Sequence, residues 1–123
     1  MNIALWVIQV ILALAFAMSG IAKLSQPKEK LAEQMPWVND FSQNTVRIIG
    51  ALELLAAIGL ILPAVTGILT FLTPLAALGL VLVMLGAIVT HLGRNEYPMV
   101  GVNVVLLILA LIVVYGRFVS HPF

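Results

Sequence analysis

The sequence predicts an all-α membrane protein, an antiparallel four-helix bundle with a short amphipathic surface segment between its first and second helices. Three observations carry that prediction. Of the 123 residues, 63% are hydrophobic and only 9% charged, where soluble domains carry about 25% charged residues. A water-facing globule of this size has no way to hide so continuous an apolar surface. The apolar residues gather into four runs, each near the roughly 20 residues that cross a hydrocarbon core about 30 Å thick. Between the second and third runs only Ala64 and Val65 intervene, so those two helices form a tight antiparallel hairpin. Residues 1–123 are read as one transmembrane domain.

The first helix covers about residues 3–23 and is interrupted only by Gln9 and Ser19. Ala13, Ala15 and Ala17 give small-x-small patterns like those of a signal-peptidase site. No Lys or Arg precedes them, however, and the apolar stretch continues to Ala22, so the segment is read as a retained helix. The second helix, about 45–62, is expected to stop at Pro63, which cannot donate to a continuing ladder. The third covers about 66–92. Pro74 lies inside it and frees the carbonyl four residues earlier, so a kink is expected there, with Thr70 and Thr73 satisfying the loosened backbone. The fourth covers about 98–118, where Pro98 suits a first helical turn.

The long connector, residues 25–44, holds Lys28, Glu29, Lys30, Glu33 and Asp40. Leu31, Met35 and Val38 recur at helical spacing, with Trp37 and Phe41 nearby. This pattern predicts an amphipathic segment at the bilayer surface with Trp37 as an interfacial anchor. Lys23, Lys28, Lys30, Arg47 and Arg94 flank one side of the bundle, and Arg117 marks the other. By the positive-inside rule the termini lie outside and the long connector in the cytoplasm of a bacterial inner or plasma membrane.

Composition also excludes function classes. A formal charge of +1, from six Lys and Arg against five Asp and Glu, leaves no basic field for nucleic acid. The absence of cysteine removes disulfides, thiol redox chemistry and thiolate metal sites from this chain. His91 has no second histidine or carboxylate at ligand spacing, so no metal site is assigned.

Within this oily background Glu53 stands out, midway along the run RIIGALELLAAIGLILP at residues 47–63. An ionisable group inside a span is expensive, so one that is kept has a partner or a task. It lies about 12 Å in from Thr45, and Arg47 is about 9 Å nearer the surface but roughly 240° away in helical phase. A neighbouring helix is therefore the expected contact. Antiparallel alternation brings Ser19 and Lys23 of the first helix, Thr90 and His91 of the third and Asn103 of the fourth to the same half of the membrane. Glu53, Arg47, His91, Lys23, Asn103 and Ser19 are the candidate ligand-binding residues. Each has a plainer use: Lys23 and Arg47 can snorkel to headgroups, and Asn103 and Ser19 can join helices by hydrogen bonds. Glu53 is either neutral through desolvation or held charged by Arg47 or Lys23. Gly50, Ala57 and the small residues Ala13, Ala15, Ala17 and Ser19 allow close packing about this acid.

The runs AFAMSGIAKL (15–24), RIIGALELLAAIGLILP (47–63) and MLGAIVTHL (84–92), followed by a final apolar helix, resemble the DoxX-like family of small four-helix membrane proteins in the DoxX/DoxD superfamily. The resemblance covers nearly the whole chain, and the spaced Arg47, Gly50 and Glu53 are its most specific part, with Ser19, Gly20, Lys23 and His91 on further characteristic positions. It implies thin functional expectations. The family takes its name from a subunit of an archaeal thiosulfate:quinone oxidoreductase, and the wider superfamily is similar to an assembly chaperone for nicotinic receptors. No catalytic motif carries over, and no enzymatic activity of the chain alone is expected. Three readings stand, in this order. The first is a binding or assembly module whose polar pocket takes a lipid, a quinone or a partner helix. The second is an accessory subunit holding a quinone near Glu53 and His91 for a membrane oxidoreductase. The third is a small transporter or proton conduit titrating at Glu53. Expected partners are membrane lipids, another membrane protein or a second copy of the chain.

Overall fold

The computed structural model describes residues 2–33 and 35–123. Its helices are α1 (Asn2–Ser25), α2 (Lys28–Leu31), α3 (Gln43–Thr66), α4 (Leu72–Gly93) and α5 (Tyr97–Tyr115). A 3-10 turn, Pro36–Asp40, follows α2, and a π turn, Gly116–Ser120, continues α5. Among the described residues four segments, namely α1, α3, α4 and Tyr97–Ser120, are long and apolar enough to cross a membrane. At 1.5 Å per residue their 22 to 24 residues reach about 33–36 Å, enough for the hydrocarbon core.

Neighbours in the chain are neighbours in space: α1 packs along α3, α3 on α4 and α4 on α5, while α5 returns to α1 with a lighter contact. The antiparallel bundle that results has a core of Leu12 and Phe16 from α1, Leu60 from α3, Leu80 and Met84 from α4 and Val113 from α5. Opposite faces carry exposed Leu14, Leu55, Leu82 and Val105. Such helices are apolar on every side because lipid covers what the bundle does not.

A close backbone approach lies where α1 crosses α3. A methyl group on Gly20 would sit 2.6 Å from the Gly50 carbonyl oxygen, and one on Gly50 would sit 2.6 Å from Lys23 Cβ. Two residues without side chains therefore let the backbones touch, and they bring the C-terminal third of α1 against the N-terminal half of α3. That register decides which polar groups meet.

The prolines differ from their sequence expectation. Helix α3 does not end at Pro63 but runs to Thr66 and closes on Gly67, which adopts the left-handed conformation (φ 71°) and donates to the Pro63 carbonyl. The missing N–H of Pro63 leaves the Gly59 carbonyl without its helical donor. Thr73 of α4 fills the gap, its hydroxyl donating to Gly59 O at 3.0 Å. The hairpin is correspondingly longer, and α4 starts at Leu72. Pro74 thus falls in the first turn of α4, where an N–H would have no helical acceptor anyway, so no interior kink arises.

The connector also departs from a single surface helix. Pro36 interrupts the stripe, and the segment makes two short turns that fold back on the bundle. Leu31 and Val38 are buried against Val46 in the first turn of α3. Trp37 turns inward rather than serving only as an interfacial anchor.

A buried ion pair beside a laterally open cavity

The register set by Gly20 and Gly50 carries Lys23 of α1 onto Glu53 of α3. Lys23 Nζ donates to Glu53 Oε1 at 2.6 Å and to Ser19 Oγ at 2.7 Å. The Ser19 hydroxyl in turn donates to Glu53, 3.2 Å from Oε1 and 3.4 Å from Oε2. The side chains of Lys23 and Glu53 are only 6% and 4% exposed. Ser19 and Lys23 stand one helical turn apart on one face of α1, which is why both can reach the same carboxylate. The Trp37 ring covers the ammonium group at 5.3 Å, within the range of a cation–π contact.

Trp37 links this pair to the far side of the bundle. Its ring meets His91 of α4 edge-on at 6.3 Å and Phe41 at 5.7 Å. His91, itself buried, bonds Glu96 Oε1 through Nδ1 at 2.8 Å. Arg94 Nε lies 3.3 Å from Glu96 Oε1, and Arg94 Nη1 reaches Asp40 Oδ2 of the connector at 2.9 Å. The hydrogen bond with His91, reinforced by the Arg94 charge, holds the Glu96 carboxyl below its usual range. Arg94 is shifted upward, chiefly by its bond to Asp40. The α4–α5 loop and the connector are thus joined over one end of the bundle.

Under this joint is a cavity of about 430 Å³ between α1 and α3 on one side and α4 and α5 on the other. Glu53, Lys23, Ser19, His91 and Asn103 all line it, and the rest of its wall is mainly apolar. Leu52 and Leu82, also in the wall, are 52% and 65% exposed on the flank of the bundle, so the cavity opens sideways at membrane depth. Asn103 is 5% exposed, and among the described residues its Nδ2 has no hydrogen-bond partner.

Of the six residues singled out by sequence, the structure joins Ser19, Lys23 and Glu53 directly and sets His91 and Asn103 around the same space. Arg47 stands apart. It is exposed and absent from the cavity wall, as its helical phase relative to Glu53 requires, so the partner left open between Arg47 and Lys23 is Lys23. Sequence reasoning missed Trp37 as a wall of the site, because its position depends on the break at Pro36. It also missed the Arg94–Glu96–His91 chain, whose signal was a charged pair close to the histidine.

A second polar cluster lies toward the opposite end. Gln9 donates from Nε2 to Leu60 O at 2.7 Å and accepts from Arg117 Nε at 2.7 Å. Arg117 also donates to Asn2 Oδ1 and His121 O, and its guanidinium faces the rings of Phe123 and Trp6 at 4.1 and 5.8 Å. Read from sequence as a topology marker, Arg117 is in fact 3% exposed. Buried Leu12, Leu60, Leu80 and Val113 fill the layer between the two clusters.

Four membrane-length helices packed around a side-opening cavity, with a lysine–glutamate pair in its wall, define a small multi-pass membrane protein. The chain belongs to the DoxX-like family, whose family model matches residues 7–113. That span holds every residue of the Glu53 cluster and Gln9, and it stops short of Arg117. Neither the curated proteins nor the solved structures contain a match to the chain.

Proposed function

We propose that the protein is a membrane binding module whose cavity beside Glu53 receives an apolar molecule from the bilayer. One observation carries the reading: a space of about 430 Å³ lies within the size range of small-ligand sites, about 300–1,000 Å³, and opens toward lipid. Mostly apolar walls with a few convergent polar groups are the usual make-up of such sites. A lipid and a quinone both suit these walls. A quinone-holding accessory subunit is the same cavity with a redox partner, since this chain has no cysteine of its own to pass electrons. A partner helix is the other occupant this reading allows. A proton conduit is the least favoured reading: the close-packed layer of Leu12, Leu60, Leu80 and Val113 supplies no polar relay beyond Glu53.

The test is the content of the purified protein. Mass spectrometry of solvent extracts from wild type should find one hydrophobic species retained in near-stoichiometric amount after detergent exchange. Ala87→Phe, which places a ring in the cavity wall, should lose that species while its helical circular dichroism is unchanged. Equal retention in both proteins, or an empty wild type, would overturn the reading.

A further inference from the structure

We infer that the cavity selects molecules with an uncharged, carbonyl-type head, recognised by the side-chain amide of Asn103, and rejects ionised ones; this rests on the reading of the cavity as a ligand site. The argument starts from what the wall groups have left to offer. An ammonium group has three donors, and those of Lys23 are taken up by Glu53 at 2.6 Å, Ser19 at 2.7 Å and the face of Trp37 at 5.3 Å. Glu53 is met by Lys23 and Ser19. Lys23 and Glu53 together carry no net charge, whichever of the two holds the proton. The pair is compensated in charge without a ligand.

A carboxylate or phosphate entering the cavity would find its nearest cation already engaged, and an amine would find the nearest carboxylate engaged. Either must break the pair or stay buried without a counter-charge, and an unpaired charge in an apolar space is heavily penalised. His91 is likewise committed at Nδ1 to Glu96. One donor left over is Asn103, buried in the wall with an Nδ2 that meets no acceptor among the described residues. A buried donor without an acceptor is a standing cost that an incoming oxygen removes. The missing partner is therefore a neutral acceptor: the carbonyl of an ester or of a quinone ring. The wall around it is apolar, so the same molecule has a hydrocarbon body, and the side opening lets a chain longer than the cavity continue into the bilayer.

Trp37 lies in the wall, and the chain has one other tryptophan, Trp6. In solubilised Trp6→Phe protein, Trp37 is the sole reporter, and brominated chains quench it on contact. The probes are methyl dibromostearate and the free acid dibromostearate at alkaline pH, which share a chain and differ in head charge. The ester should quench saturably with an apparent affinity at least tenfold higher than the ionised acid. Asn103→Leu should weaken the ester about five- to tenfold, as expected for one neutral hydrogen bond, and leave the acid unchanged. This variant removes an unpartnered amide, so its thermal stability should equal or exceed that of the parent.

Displacement of the ester by a diacylglycerol would mark a lipid ester as the source of the carbonyl, and displacement by an alkyl benzoquinone would mark a quinone. Displacement by neither counts against the proposal. Equal quenching by ester and acid, or no effect of Asn103→Leu, would overturn the neutral-head selection while leaving the cavity as a ligand site. Absence of saturable quenching by either probe would remove the ligand site itself.

Discussion

Replacing Lys23 by methionine keeps most of the side chain's length and removes its ammonium group and charge. Three contacts disappear: the charge-assisted bond to Glu53 at 2.6 Å, the bond to Ser19 at 2.7 Å and the contact with the Trp37 ring. The first contributes about 1.5–3 kcal/mol as a hydrogen bond between charged groups, and the last about 0.5–2 kcal/mol. Their sum, about 2–5 kcal/mol, agrees with the roughly 3–5 kcal/mol lost when one partner of a buried ion pair is removed. Glu53→Gln should cost a similar amount, because it strands the ammonium group. The double variant should recover most of the loss, since buried pairs replaced together are often nearly neutral. A coupling energy of at least about 2 kcal/mol is therefore expected. Ordinary interhelical hydrogen bonds in membrane bundles couple by only about 0.6 kcal/mol on average, so the number separates an ion pair from polar glue. The assay is equilibrium unfolding in mixed micelles, followed by circular dichroism for the four proteins of the cycle. Arg47→Met, at an exposed position, serves as control and should shift stability by no more than about 0.5 kcal/mol. A coupling at or below about 0.6 kcal/mol, or an Arg47 variant as damaging as the Lys23 one, would refute the assignment of the pair.

Other consequences are equally direct. Gly20→Ala places a methyl group 2.6 Å from Gly50 O and 2.9 Å from Leu54 N; neither backbone atom can swing aside, and a loss of about 1–3 kcal/mol is expected. Gly79→Ala, with nothing within 4 Å of the added carbon, should be neutral or stabilising by up to about 1 kcal/mol, and denaturation curves of the two will show whether close approach or helix propensity governs. Thr73→Val strips the Gly59 carbonyl of its donor and should cost about 1–3 kcal/mol. In a Pro63→Ala background, where the backbone N–H returns, the same change should be almost silent. Glu96 contributes to pH dependence with a defined sign: its carboxyl is held below its usual range, so its contribution is present above the ordinary carboxylate pKa and is lost as pH falls through the lower, folded value. The stability difference between wild type and Glu96→Gln should accordingly shrink on acidification from neutral pH, and a difference that grows would contradict the sign.

Much of the architecture was legible because lipid imposes a simple demand. A span must be apolar on all sides for about 20 residues, and the four runs met that demand without ambiguity. Boundaries were harder where proline was involved. Pro63 looked like a stop because the residue that satisfies Gly59 O, Thr73, belongs to the next helix and is invisible to a reading along one helix. Pro74 looked like a kink only because the start of its helix was placed six residues too early, at residue 66 instead of Leu72.

For the candidate site, polarity against an oily background was a strong signal, and it drew attention to Ser19, Lys23, Glu53, His91 and Asn103. Helical phase already set Arg47 apart from Glu53, but phase alone does not name a partner on another helix. The Gly20–Gly50 approach does, by fixing how far α1 slides along α3. Arg117 was hidden for a different reason. A cation near a span end reads as an interfacial residue, and the signal that it is buried was Gln9, a lone amide in an apolar run whose two ends bond Leu60 O and Arg117 Nε.

The most direct test of the central arrangement is a dipolar recoupling measurement in bilayers, on protein carrying ¹⁵N at lysine Nζ and ¹³C at the glutamate carboxyl carbon. The Nζ to Oε1 separation of 2.6 Å predicts one strong nitrogen–carbon coupling that disappears in Lys23→Met and persists when Lys28 and Lys30 are replaced. No coupling in the wild type, or a coupling that survives the loss of Lys23, would contradict it.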